Sequence, residues 1–232
     1  KSRLEKEGFE VTLRKRKMEL NQELIETAGV RILSYLPTAM RNFASNKDLI
    51  KSADDIKGMK VRVMEIPLHQ AMVTAYGGIP TTISFAELYS ALQTGVVDAQ
   101  EQAPYTMVMN NLQEVTKYYT LSEHLLNSNA CTMNEAFFQS LSKEDQQIIL
   151  KAAKAAQRAM IGITTANEPE VYDKMTSAGV QVYAPTEAEL ETFRTAGRQA
   201  GIDYMVNSVG VSDEYINDFF ARIDQIYADA MK

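Results

Sequence analysis

One cysteine, Cys131, stands among 232 residues. That excludes an intrachain disulfide and any cysteine cluster for a metal. Its setting, Asn129-Ala130-Cys131-Thr132-Met133, reads as a buried strand with no histidine near it, so Cys131 is expected to be a small core residue rather than a nucleophile. Histidine is almost as scarce: His69 and His124 are the only two. They lie far apart and form neither a His-Glu-x-x-His helix nor a histidine metal cluster, so no metal and no cofactor is expected. Positive charge is in deficit, 24 Lys and Arg against 30 Asp and Glu, with a formal charge of -6 and a pI near 5.1. No overall basic field is left for nucleic acid or an anionic membrane surface, and an anion binder of this composition must concentrate its positive charge locally. No apolar run approaches the ~20 residues of a membrane span. The opening Lys1-Ser2-Arg3-Leu4 lacks the apolar core of a signal peptide. A Gly-x-Ser-x-Gly elbow, a Walker loop and a Gly-x-Gly-x-x-Gly fingerprint are also missing. Gly77-Gly78 follows a helix, where a phosphate loop would follow a strand, and reads as a turn.

What is present is a 45% hydrophobic chain, enough for a packed core in two modest domains or one large one. Phe9 to Ala28 reads as a helix stopped at Gly29, with the basic run Arg14-Lys15-Arg16-Lys17 splayed on a solvated face. Val30 to Leu36 reads as a strand closed by Pro37, and 42–55 as a polar loop. Lys57 to Val63 is a second strand. Pro67 to Tyr76 is a helix entered by proline, and Ile79 to Ile83 another strand. Ser84-Phe85-Ala86-Glu87 has the spacing of a capping box, opening a helix to about Thr94. Val96 to Gln100, Val115 to Leu121 and Ser128 to Met133 read as strands. Ser142 caps a helix that reaches about Ala178 if Gly162 and Pro169 do not break it, long enough to brace two lobes. Val180 to Ala184 is one more strand, Thr186-Glu187-Ala188-Glu189 a second capping box, and Ser212 opens a last helix. Strands alternating with helices at this spacing predict an α/β fold with largely parallel sheets.

The residue with most chemical promise is Arg62. Alternation along Met59-Lys60-Val61-Arg62-Val63 puts Met59, Val61 and Val63 on one face and Arg62 on the other. A guanidinium held on a strand is a rigid fork for a carboxylate, or else an ordinary solvent-facing arginine. The polar run Asp98-Ala99-Gln100-Glu101-Gln102, read at a strand's carboxyl end, falls where open α/β sheets bind ligands. Phe85 and Tyr89 line a pocket or, at the same spacing, an ordinary packed helix face. Asp54-Asp55 reads as a solvated turn, not an acid/base pair.

Asp55-Ile56-Lys57-Gly58-Met59-Lys60-Val61-Arg62-Val63, and Ile79 through Glu101, resemble the substrate-binding proteins of tripartite ATP-independent periplasmic (TRAP) transporters, the DctP-like family. Glu114 to Tyr118, His124 and Leu141 to Gln146 are similar in order and spacing. The resemblance implies a two-lobed periplasmic-binding-protein-like fold, with residues 1–39 and 128–167 in lobe I and 40–127 and 168–232 in lobe II. It implies a non-enzymatic receptor in the periplasm of a Gram-negative bacterium that hands a small organic acid to a membrane permease. Arg62 takes the place of the family's carboxylate-binding arginine, Arg41 that of a second, assisting arginine, and Phe85 that of the aromatic packed on the ligand. Gln102 stands where the family usually has asparagine. With Glu65 and Asp98 these make the candidate ligand-binding set. C4-dicarboxylates, sugar acids, keto acids and aromatic acids all fit.

The resemblance starts late in the family pattern, so lobe I is expected to be incomplete and its open edges to favour self-association or swapping. Two other classes compete with the receptor: an α/β enzyme on a carboxylic acid with Arg62 as anchor and Glu101 or Asp98 as base, and an interaction module without ligand.

Overall fold

The computed structural model describes residues 20–166 and 168–230. The Arg14–Lys17 run and the start of the first helix lie outside them. The chain divides into two compact units, Lys1–Ala39 with Leu126–Asn167 and Met40–Leu125 with Glu168–Lys232.

In the first unit, helix α1 (20–28) ends at Gly29, whose φ of 63° is a conformation that glycine adopts without strain. Arg31 grips the Glu135 carboxylate with two hydrogen bonds, Nε at 2.6 Å and Nη2 at 2.7 Å. The pair ties strand β1 (Val30–Ser45) to helix α5 (Glu135–Ser140), and α6 (Lys143–Ala166) follows. Ser142 Oγ accepts from the Asp145 amide, so the helix opens on the expected cap.

The second unit is a three-layer sandwich. Its strands are the second part of β1, β2 (Lys60–Val63), β3 (Ile79–Thr82), β4 (Ala99–Gln102), the first part of β5 (Tyr118–Asn134), and β6 (Gln181–Tyr183). They belong to a sheet of order β3-β2-β4-β1-β5-β6. β2 runs parallel to β3 and β4, and β5 to β6, whereas β1 is antiparallel to β4. One face packs Phe43, Val61, Val63 and Ala99 against α2 (Pro67–Ala75) and α8 (Glu187–Tyr204), through Met72, Val73 and Phe193. The other packs Ala44 and Tyr119 against α3 (Leu88–Gln93), α4 (Pro104–Met109) and α7 (Glu168–Ser177). Helix α9 (Asp213–Ala230) closes the chain behind a Ser212 cap.

Several expected boundaries move. β1 runs through Pro37 because pairing with β4 begins only at Asn42, so the missing proline N–H falls outside that ladder. The two strands expected between 115 and 133 are one, β5. β4 starts at Ala99, three residues later than expected. Of the expected long helix, the described residues are helical over Lys143–Ala166 (α6) and Glu168–Ser177 (α7), with Asn167 outside the described residues. Ser84 caps no amide; its hydroxyl donates to Glu87 at 2.6 Å, and a 3-10 turn over Phe85–Glu87 precedes α3.

Candidate functional site

Arg62 sits third in β2, with Thr81 of β3 and Gln100 of β4 as its register partners. Met59, Val61 and Val63 are core residues of the α2 side, so alternation turns Arg62 to the opposite face, as expected. It does not face solvent: only 3% of it is exposed. Its Nε donates to the Ile83 carbonyl at 2.9 Å, and its guanidinium carbon lies 5.8 Å from the centre of the Phe85 ring, within cation–π reach. Its Nη1 is buried and has no hydrogen-bond partner among the described residues. Burial pushes the guanidinium pKa down, opposed by the charge of Glu101 and assisted by that of Arg41.

Arg41 is arranged differently. Its Nε and Nη2 both donate to the Glu101 carboxylate, the latter at 2.9 Å, and Nη2 also reaches the Glu101 carbonyl at 2.7 Å. The fork expected to assist a ligand is closed on a residue of the protein itself. Glu101 is fully buried and meets both histidines: His69 Nδ1 lies 3.2 Å from Oε1, and His124 Nε2 lies 3.8 Å from Oε2, beyond hydrogen-bond length. Burial would raise the Glu101 carboxyl, but its contacts with His124, His69 and Arg41 outweigh that and hold it well below the usual carboxylate range. Burial pushes the His124 imidazole down, while its ring stacks on Phe43 at 4.2 Å and its Nδ1 meets Ser122 Oγ at 2.9 Å.

The remaining candidates divide. Phe85, 42% exposed, joins Arg62. Gln102 is buried at the carboxyl end of β4, where its carbonyl accepts from the Tyr119 hydroxyl at 2.9 Å. Glu65 is exposed on the link between β2 and α2. Asp98 is misplaced by the expectation: it precedes β4 at the amino end, where it accepts from the Lys60 amide at 2.9 Å and lies 3.8 Å from Lys47. Tyr89 turns to Glu114, to which its hydroxyl donates at 2.9 Å. The meeting of His69, His124 and Arg41 at Glu101 escaped sequence reasoning, because their separations carry no period; only alternation along β4 hinted that Glu101 and Gln100 face opposite ways. No group of side chains that could hold a metal occurs among the described residues, nor does any helix long and apolar enough to cross a membrane.

This α/β architecture is that of the TRAP periplasmic solute-binding proteins. A solved example from Sulfitobacter sp. NAS-14.1, with bound β-D-galacturonate, superposes with a TM-score of 0.77 at 28% identity, over 87% of this chain and 64% of that one. The chain belongs to the bacterial extracellular solute-binding proteins of family 7 (DctP), whose pattern matches residues 6–205. A Roseobacter denitrificans solute-binding protein is 30% identical over 182 residues, 78% of this chain and 55% of that protein. Its structure with bound L-galactonate has a TM-score of 0.73 and 29% identity, over 88% and 65% of the two chains. The sialic acid-binding periplasmic protein SiaP of Vibrio cholerae is 32% identical over 177 residues, 76% of this chain and 54% of its own length. The chain thus spans about half the length of the curated relatives it matches.

Proposed function

We propose that this chain carries the acid-binding site of a periplasmic solute receptor, which holds a small organic acid by its carboxylate on Arg62 and delivers it to a TRAP membrane permease. The observation that carries the reading is the Nη1 of Arg62 beside Phe85, buried and with no hydrogen-bond partner among the described residues. An unpaired buried guanidinium nitrogen is costly unless an anion completes it, and a carboxylate fits the fork. Gln102, at the end of β4, is the candidate to contact the rest of the ligand, with Glu65 at the exposed margin. Arg41 is spent on Glu101, which favours one carboxylate per ligand over a dicarboxylate. Sugar acids are the first choice of ligand, since L-galactonate and β-D-galacturonate occupy two of the solved relatives. An enzyme has less support: Asp98 is tied to the Lys60 amide, and Glu101, held ionised by its partners, is a weak base.

Calorimetric titration with galactonate and galacturonate tests the reading. Arg62→Ala should weaken binding at least about a hundredfold, since it leaves the anion unpaired at a cost of roughly 3 to 5 kcal/mol. Equal affinity in the variant and the parent would refute the role of Arg62.

A further inference from the structure

The two buried arginines face different residues of one short strand. Glu101 of β4 takes the Arg41 guanidinium and neutralises it. Gln100, one residue earlier, is the register partner of Arg62. Paired residues of parallel strands project from the same face, so Gln100 lies alongside Arg62 while Glu101 points the other way. Gln100 is fully buried; its amide nitrogen is engaged by Met107 Sδ at 2.8 Å and its Oε1 has no partner among the described residues. A buried acceptor therefore stands on the strand next to a buried donor, Arg62 Nη1, and neither has a partner among the described residues.

Resting on the reading of Arg62 as the ligand's anchor, we infer that Gln100 is a specificity-determining residue: its neutral amide lines the Arg62 side of β4 without cancelling the arginine's charge. A carboxylate at position 100 would do to Arg62 what Glu101 does to Arg41. The order Gln100-Glu101 on an alternating strand thus sorts two arginines into one that holds the fold and one that stays open to an anion. A neutral amide next to the fork leaves the arginine's charge for the ligand. A carboxylate would compete for the fork and repel the incoming acid.

The test follows the Arg62 Nε–H resonance by NMR in the 232-residue chain during titration with formate, a carboxylate small enough for any acid site, and repeats it with galacturonate. In the parent chain formate should shift the resonance saturably. In Gln100→Glu it should bind at least about a hundredfold more weakly. Gln100→Met, which removes the amide without adding charge, should stay within about tenfold of the parent. A residue with a merely structural role would lower the thermal midpoint in both variants while leaving the affinity of the folded chain alike in both. No shift in the parent chain would overturn the Arg62 reading itself. A parent shift that survives in Gln100→Glu would overturn the assignment of Gln100 and leave Arg62 standing.

Discussion

Glu101 could not stay ionised in a dry interior without help, because desolvation disfavours the charged form. Arg41 supplies two hydrogen bonds and a full opposite charge, and His69 adds a third contact. His124 is stacked on Phe43, and its burial, opposed by the nearby Glu101 carboxylate, favours the neutral form in the folded chain. The pH consequence is signed. An imidazole whose pKa is lowered by folding takes up its proton more readily when unfolded, so its contribution is whole above the unfolded value near 6.5 and is lost as pH falls below it. The Glu101 contribution, also from a lowered pKa, is whole above about 4.5 and is lost only in stronger acid. Urea unfolding at about pH 7.5 and 5.5 should therefore show the parent chain losing stability in the window set by His124. His124→Gln should flatten that loss, and an equal slope in both proteins would count against His124 as its source. Sequence reasoning singled out Arg62 and Phe85 as candidates because each sits in a local pattern. It did not foresee the pairing of Arg41 with Glu101, because the two lie 60 residues apart and pairing at that distance leaves no local trace.

Elements were legible where their punctuation is local. Pro67 opens α2, Gly77 with φ 75° turns the chain after it, and Thr186 with Glu189 makes a reciprocal capping box at α8. Strand extents were less so, because a strand ends where its neighbour does, and neighbours come from elsewhere in the chain. The expectation of a strand at Val96–Gln100 put Asp98 inside it and hence near the site; pairing of Ala99 with Val61 and Ser45 begins the strand after Asp98 instead. Gly78 shows a constraint of another kind. A Cβ there would lie 2.8 Å from Ile56 Cγ2 and 2.9 Å from Val73 Cγ1, both in fully buried side chains. Close packing leaves those branched side chains little room to yield. Gly78→Ala should therefore cost about 1 to 3 kcal/mol in denaturant unfolding, seen as a lower midpoint at unchanged slope. A midpoint at or above the parent's would mean that the α2–β3 turn shifts freely.

At the scale of the molecule, under the proposed function, a chain of net charge -6 is asked to hold an anion. The charges around the site resolve the conflict. Arg41 and Glu101 cancel, so Arg62 leaves about one positive charge, buried and close to where a carboxylate would sit. Charges exposed on the surface are screened by salt at about 0.1 M within ~10 Å. The attractive term is therefore the buried one, which salt screens much less, while the exposed background is weakly repulsive and fades as salt is added. Affinity for a monocarboxylate should change by less than about threefold between roughly 20 and 200 mM sodium chloride, with any change in the association rate upward. Calorimetry and stopped-flow mixing at the two concentrations measure both quantities. A tenfold or greater loss of affinity with salt would place the binding charge on exposed lysines and arginines instead of Arg62, because only exposed charges lose that much to screening.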